Sequence, residues 1–386
     1  MSTTLISFLG RTQKGEKGYR LTRYDFGDGS KQGEYAYFGW PLAQRIQPDH
    51  FVILGTSGSM WDHLFETDHN FGEQYEEERL QLVEAVGRKC VNAEMLTPLQ
   101  PLLEEQLGCK VFLELIPHGQ QEDEQIQMIE IIARHVAQGE RVHMDITHGF
   151  RTLPMIGLIS ALYLQKMRSA EIVGLWYGEY NPDTGQAPVH DLKGLLHIAD
   201  WLNALTCYDK DGDYGTFAPL LGEHGRLLAQ AAFHERTTHS MLAYQQLSSW
   251  SKADSFPQND PAAALFKEKF EERISWHKRG TRAAREQRLA REYLERGDYV
   301  RAAIYGMESM ISQHTYQQGI ADEFNNREES RNALMAESQE FKTLSRLRNA
   351  LAHGIRSHDK SIERILRDEQ QLSSTLKDIF KKLSIK

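Results

Sequence analysis

The chain has 386 residues, 40% hydrophobic and 26% charged, with 11 prolines and a net charge of −9. Its length is about twice the roughly 100–200 residues of one domain and its composition is that of a globular protein, which excludes a single small module and a disordered or fibrous chain. The charge is uneven: residues 1–260 carry 21 Lys/Arg against 35 Asp/Glu, residues 261–386 carry 24 against 19, so only the C-terminal third is electrostatically suited to a polyanion.

No apolar run approaches the roughly 18–20 residues of a membrane helix. Residues 1–10 (MSTTLISFLG) lack a basic leader before a long apolar stretch, so a soluble, unexported protein without membrane contact is expected. Cys90, Cys109 and Cys207 are far apart and form no CxxC pair, which argues against a zinc knuckle or disulfide framework and fits a reducing cytoplasm.

From the N-terminus, short apolar runs alternate with helix-length amphipathic stretches. Strands are expected at 5–9 (LISFL), 51–54 (FVIL), 110–115 (KVFLEL), 141–146 (RVHMDI) and 171–176 (EIVGLW). These runs are dense in Val, Ile and Phe and lack polar alternation, as strands covered on both faces should. Residues 123–138 place Ile126, Ile129, Ile132 or Ala133, and Val136 at helical spacing, and a second helix after Arg151 repeats Leu153, Ile156, Ile159 or Ser160, and Tyr163. Parallel strands with right-handed crossovers then predict a Rossmann-like α/β layer over residues 1–190. After the turn-rich 181–188 (NPDTGQAP) only helices are expected: 191–205, a polar loop at 206–215, 222–250, a break at 255–261 (SFPQNDP), and three or four more to the end.

Three patterns imitate known chemistry. His234 and His239 resemble HExxH with one residue too many, and a five-residue step turns the second about 140° from the first. Asp209, Asp211 and Asp213 open like a calcium loop, but Tyr214 and Leu220 stand where Gly and Glu are required. Arg282, Arg285, Arg288 and Arg291 step by three and wrap round a helix, so a subset at most faces RNA. No metal site is expected.

In an open α/β sheet, ligands sit beyond the C-terminal strand ends. Three loops there have a nucleotide-site composition. In Gly10-Arg11-Thr12-Gln13-Lys14-Gly15, Arg11 and Lys14 are placed to face an anion. In Gly55-Thr56-Ser57-Gly58-Ser59-Met60-Trp61 the hydroxyls suit a phosphate or ribose and Trp61 is a candidate base stacker. The third runs Asp145-Ile146-Thr147-His148-Gly149-Phe150-Arg151. No GxxxxGK[ST] is present and no GxGxxG follows the first strand, which disfavours an ordinary ATPase or dehydrogenase.

Near the C-terminus Arg348-Asn349-Ala350-Leu351-Ala352-His353 has the form R-N-x3-H. A bare R-x4-H is expected about once by chance, and Arg45 to His50 is such a decoy, interrupted by Pro48. Context distinguishes the later motif: Leu344, Leu347, Leu351 and Ile355 recur at helical spacing and Gly354 can end the helix. An Arg and a His contacting phosphate suit RNA cleavage in which the 2′-hydroxyl attacks its own phosphodiester. Residues five apart do not share a helix face, which points to a composite site from two subunits; a solvated Arg and a capping His is the structural alternative.

Taken together, FLG at residues 8–10, LGTSGSMWD at 54–62, DITHGFRTLP at 145–154 and R-N-x3-H resemble the CRISPR-associated CARF–HEPN ribonucleases, accessory effectors of type III systems. Residues 297–308 (GDYVRAAIYGME) resemble that family's earlier HEPN helix. The likeness spans about residues 1–200 and 281–386. It implies a CARF-like sensing domain (1–190), a helical connector (191–280) and an all-α HEPN ribonuclease domain (281–386). It further implies a homodimer, or a higher oligomer, in which a cyclic oligoadenylate activates cleavage of single-stranded RNA. Cyclic tetra-adenylate is the favoured activator, with cyclic hexa-adenylate as the other ring, and no cofactor is implied. By motif, Arg348 and His353 would be catalytic with Asn349 supporting them. Gly10, Arg11, Thr12, Thr56, Ser57, Gly58, Ser59, Thr147, His148, Gly149, Phe150 and Arg151 would line the activator pocket. Relatives often have Thr after the first Gly where this chain has Arg11. The competing expectations are a cyclic-nucleotide-sensing DNA-binding regulator without catalysis, and a first domain that itself degrades the activator.

Overall fold

The computed structural model describes residues 2–15, 18–29, 33–66, 71–253, 256–257, 260–354 and 360–385. The chain divides into two compact units, Met1–His197 and Ile198–Lys386.

The first unit is built on β1 (Thr3–Leu9), β2 (Lys14–Gly15), β3 (Gly18–Tyr19), β4 (Thr22–Asp25), β5 (Glu34–Tyr35), β6 (His50–Gly55), β7 (Lys110–Leu115), β8 (Arg141–Asp145), β9 (Glu171–Gly178) and β10 (Gln186–Asp191). All but β2 and β3 form one sheet in the order β5-β4-β10-β9-β8-β1-β6-β7. The five expected strands are its parallel centre, β9-β8-β1-β6-β7, so the order reverses at β1, with β6 on one side and β8 on the other. Their density of apolar residues has the anticipated cause. Leu5, Leu9, Phe51 and Ile53 enter one buried cluster, and Ile6, Phe8, Val52 and Leu54 the other, because successive residues point to opposite faces. Helices Glu76–Arg88 and Gln100–Leu107 cover the first face, Glu122–Arg134 and Leu153–Met167 the second.

Several expectations are corrected. The turn at 181–188 covers only its first half; Gln186, Ala187 and Pro188 belong to β10, antiparallel to β9 and parallel to β4. Pro188 lacks an N–H, but its carbonyl accepts from Glu179 N at 2.9 Å. Of the residues at helical spacing, Ile126, Ile159 and Tyr163 are 51%, 51% and 41% exposed, while Ile132, Ala133, Val136, Leu153, Ile156 and Ser160, the alternative to Ile159, are buried, as are Met128 and Ile131.

The second unit is helical, and one apolar core runs from Trp201 through Phe217, Trp250, Phe270, Tyr305 and Leu344 to Phe380. The polar loop expected at 206–215 is largely helix, which continues to Asp211. Tertiary contacts outweigh the local sequence there: Tyr208 is buried and donates to Arg273 O at 2.8 Å, and Asp209 pairs with Arg273. Residues 222–250 divide into Gly225–Arg236 and Ser240–Lys252 at the left-handed Thr238 (φ 64°).

Helix Tyr299–Gln317 starts at Asp298, whose carboxylate caps Arg301 N. It packs closely on its neighbours because Gly306 has no side chain; a Cβ there would lie 2.7 Å from Phe380 and 3.5 Å from Leu344. The motif helix, Gln339–His353, is capped by Ser338 and buries Leu344, Leu347 and Ala350. It ends at Gly354 (φ 75°), a backbone conformation that favours glycine. Ile355, expected to extend its apolar face, lies outside the described residues, as do 255, 258 and 259 of the expected break. Among the described residues no helix is long and apolar enough to cross a membrane.

Candidate functional site

The loops after β1, β6 and β8 converge at the point where the strand order reverses. Met60 N donates to Gly10 O at 3.0 Å, tying the second loop to the first. A Cβ on Gly10 would stand 2.5 Å from Gly149 N, so first and third loops touch through main chain and glycine is required. Gly149 itself has φ 113°, and a Cβ there would meet Leu153 Cδ1 at 2.2 Å.

The second loop is fixed by its own residues. Ser59 Oγ accepts from Thr56 N at 2.9 Å and Ser59 N donates to Thr56 O. Trp61, proposed as a base stacker, is instead wholly buried. Its ring packs where Gly55 lacks a Cβ, and Nε1 donates to Thr56 O at 2.8 Å.

Register holds the third loop. Ser7 lies opposite Asp145 across β1 and β8. Tyr37 Oη donates to Ser7 Oγ at 2.7 Å, Ser7 Oγ donates to Asp145 Oδ2, and Asp145 Oδ1 accepts from Thr147 N at 2.8 Å. Thr147 Oγ1 then accepts from Gly178 N at 2.9 Å. Burial pushes the Asp145 carboxyl up to about 6, against hydrogen bonds from Ser7 and Thr147 that favour its charge. Burial, with the nearby Arg20 cation, pulls His148 down to about 4. Its Nε2 accepts from Phe38 N at 3.0 Å, so the neutral ring carries its proton on Nδ1.

Between these loops opens a cavity of about 580 Å³. Gly10, Arg11, Thr12, Thr56, Gly58, Ser59, Thr147, His148, Gly149 and Phe150 line it; Ser57 and Arg151 do not. Ser57 gives its carbonyl to Val91 N, and Arg151 is exposed outside the lining. Arg11 reaches the cavity while donating to Val86 O at 3.2 Å. Lys14, expected to face an anion, is paired with the buried Asp62 at 3.2 Å. Sequence reasoning missed Arg20, Lys89 and His118, which also line it. His118 follows the C-terminal end of β7, where the strand-end rule would have found it; Lys89 caps helix Glu76–Arg88 and carries no local signal. Among the described residues the lining contains three cations, Arg11, Arg20 and Lys89, and no carboxylate.

In the second unit Arg348 is half-buried, and Asn349 and His353 are exposed at the end of the motif helix. None of the three has a hydrogen-bond or ion-pair partner among the described residues. The stepped arginines part company. Arg282 pairs with Glu286 and Asp322, Arg285 stacks on Tyr244, and Arg288 pairs with Glu292. Arg291 stays exposed and lines, with Lys377 and Lys381, a cavity of about 460 Å³. His234 and His239 do not share one helix; the break between them sets the rings 6.4 Å apart edge to face. Asp213 pairs with Arg236. Among the described residues no three His, Cys, Asp or Glu side chains gather as a metal-binding group.

Residues 4–180 match the family described as CRISPR system endoribonuclease Csx1, CARF domain. Over 257 residues the chain is 24% identical to CRISPR-associated protein MJ1674 of Methanocaldococcus jannaschii, an alignment covering 60% of this chain and 40% of that protein. The chain thus spans less than half the length of this relative.

Proposed function

We propose that this chain, whose residues 4–180 match the Csx1 CARF-domain family, is a CRISPR-associated homodimeric endoribonuclease of type III antiviral defence, switched on by a cyclic oligoadenylate and independent of metal. The first unit's cavity carries this reading. Three cations, hydroxyls and main-chain groups, with no carboxylate among the described residues, are the chemistry that receives phosphodiesters. Cyclic tetra-adenylate is the favoured ring.

The second unit supplies the reaction. The RNA 2′-hydroxyl attacks the adjacent phosphorus and the P–O5′ bond breaks, leaving a 2′,3′-cyclic phosphate and a 5′-hydroxyl. His353 moves the proton, Arg348 offsets charge on the non-bridging oxygens, and Asn349 orients them. Twofold pairing of the motif helices would bring two copies of each group to one linkage. A second copy is also suggested by helix Leu153–Met167, where Met155, Ile159, Tyr163 and Met167 repeat every fourth residue and are 41–61% exposed. An outward face this apolar is suited to burial against another chain. Arg291, Lys377 and Lys381 offer the RNA backbone a cationic approach.

Activation then requires the ring to bind the active arrangement more tightly than the inactive one. The test is cleavage of single-stranded RNA in EDTA, without activator, with cyclic tetra-adenylate and with cyclic hexa-adenylate. Activator-dependent products ending in cyclic phosphate support the reading. Equal cleavage in all three removes the gating. Retardation of duplex DNA without RNA cleavage replaces the enzyme with a regulator.

A further inference from the structure

Arg20 is, with Lys89, one of two cations in the first unit's cavity that no sequence pattern singled out. Its backbone N donates to Gln13 O at 2.9 Å, so the residue belongs to the β2–β3 hairpin. The guanidinium lies 3.7 Å from the centroid of the Tyr180 ring. Nε is buried with no hydrogen-bond partner, and among the described residues no carboxylate pairs with the group. An arginine stacked on one face keeps its edge donors free for two-point contact with a phosphate, which lysine cannot reproduce. Here the unneutralised charge stands beside His148, close enough to contribute to keeping that ring neutral.

The hairpin that carries Arg20 is anchored at one atom group. Lys14 on β2 reaches Asp62 Oδ2 at 3.2 Å, and Tyr19 on β3 donates to Asp62 Oδ1 at 2.8 Å. Asp62 is 3% exposed and directly follows Trp61 of the second ligand loop. One buried carboxylate therefore joins both strands of the hairpin to the loop that supplies Thr56 and Ser59 to the same cavity.

We propose that Arg20 grips a phosphate of the ligand in this cavity and that Asp62 is the positioning residue that holds Arg20's hairpin in place. The assignment rests on the receptor reading above and adds a residue and a fastening to it.

The test is calorimetric titration of the full chain with cyclic tetra-adenylate and cyclic hexa-adenylate, with melting temperature as the check on folding. Arg20→Ala should weaken binding by about tenfold to a hundredfold, and Arg20→Lys should recover little of the loss. Asp62→Asn should fall between wild type and Arg20→Ala. The double variant should bind no worse than Arg20→Ala alone, because Asp62 acts through Arg20, an interdependence that a merely stabilising contact would not produce. If Asp62→Asn does not fold, Tyr19→Phe, which removes one hydrogen bond to the same carboxylate, replaces it in the cycle. Unchanged affinity in Arg20→Ala overturns the assignment while leaving the receptor reading intact. Additive losses overturn the role of Asp62 alone. Failure of the wild type to bind either ring overturns the receptor reading, and this assignment with it.

Discussion

In the first unit several groups that face the cavity are already held by hydrogen bonds: Thr147 between Asp145 and Gly178, His148 by Phe38, Ser59 by Thr56. In the second, Arg348, Asn349 and His353 stand at a helix end with no partner among the described residues. On the proposed reading, the first unit would carry a largely preformed ligand site and the second groups that need a second copy and a substrate brought to them. Receptor residues are therefore expected to be intolerant of change for folding as well as binding, and the motif residues intolerant only for chemistry.

The sharpest break of that contrast comes from the motif. Arg348→Ala or His353→Ala should cut activated RNA cleavage by about a hundredfold to ten-thousandfold, with melting temperature and activator affinity unchanged; a large drop in melting temperature would make these residues structural. Trp61→Ala should cost about 3–5 kcal/mol of stability in denaturant unfolding, whereas a base-stacking role would show as lost affinity in a fully stable protein. Gly149→Ala should cost about 1–3 kcal/mol and also weaken activator binding, since its φ of 113° and the contact with Leu153 leave no place for a methyl group.

The smallest effects are in pH dependence, and they run in opposite directions in the two units. His143 and His148 are lowered by burial from 6.5 to about 4. Unfolded, they take up protons that the native state refuses, so their contribution is lost as pH falls from about 6.5 through 4. Glu235 in the second unit is raised by burial from 4.5 to about 7; its contribution is complete below about 4.5 and lost as pH rises through 7. Asp145, raised to about 6, partly opposes the histidines. Glu235→Gln should flatten the decline in melting temperature between pH 5 and pH 8, and His148→Gln should lessen the loss between pH 6.5 and pH 4. Unaltered slopes would remove this difference between the units.

The five central strands were legible because they are dense in apolar residues, above all Leu5, Ile6, Phe8 and Leu9 in β1 and residues 51–54 in β6, which are buried on both faces of the sheet. β4, β5 and β10 were not: the exposed positions of Thr22–Asp25 and Gln186–Asp191 are polar residues or Pro188, and these strands pair on the sheet edge already present. The three loops followed from their places at strand ends. Arg20 and Lys89 reach the same cavity from a hairpin and a helix cap, by tertiary placement that no spacing encodes. Trp61 misled for a related reason: a tryptophan beside glycines reads as a ligand platform until the missing Cβ of Gly55 is seen to make room for it in the core.

The main-chain contacts among the loops after β1, β6 and β8 also bear on transmission. Because Gly10 abuts Gly149 and accepts from Met60, the three rim segments are tied through main chain, and displacing one would be resisted by the other two. Gly149 lies four positions before Leu153, where the helix bearing the outward apolar ridge begins. On the proposed reading, a ring that displaced these loops would therefore act close to the N-terminal end of the helix that carries the exposed apolar ridge.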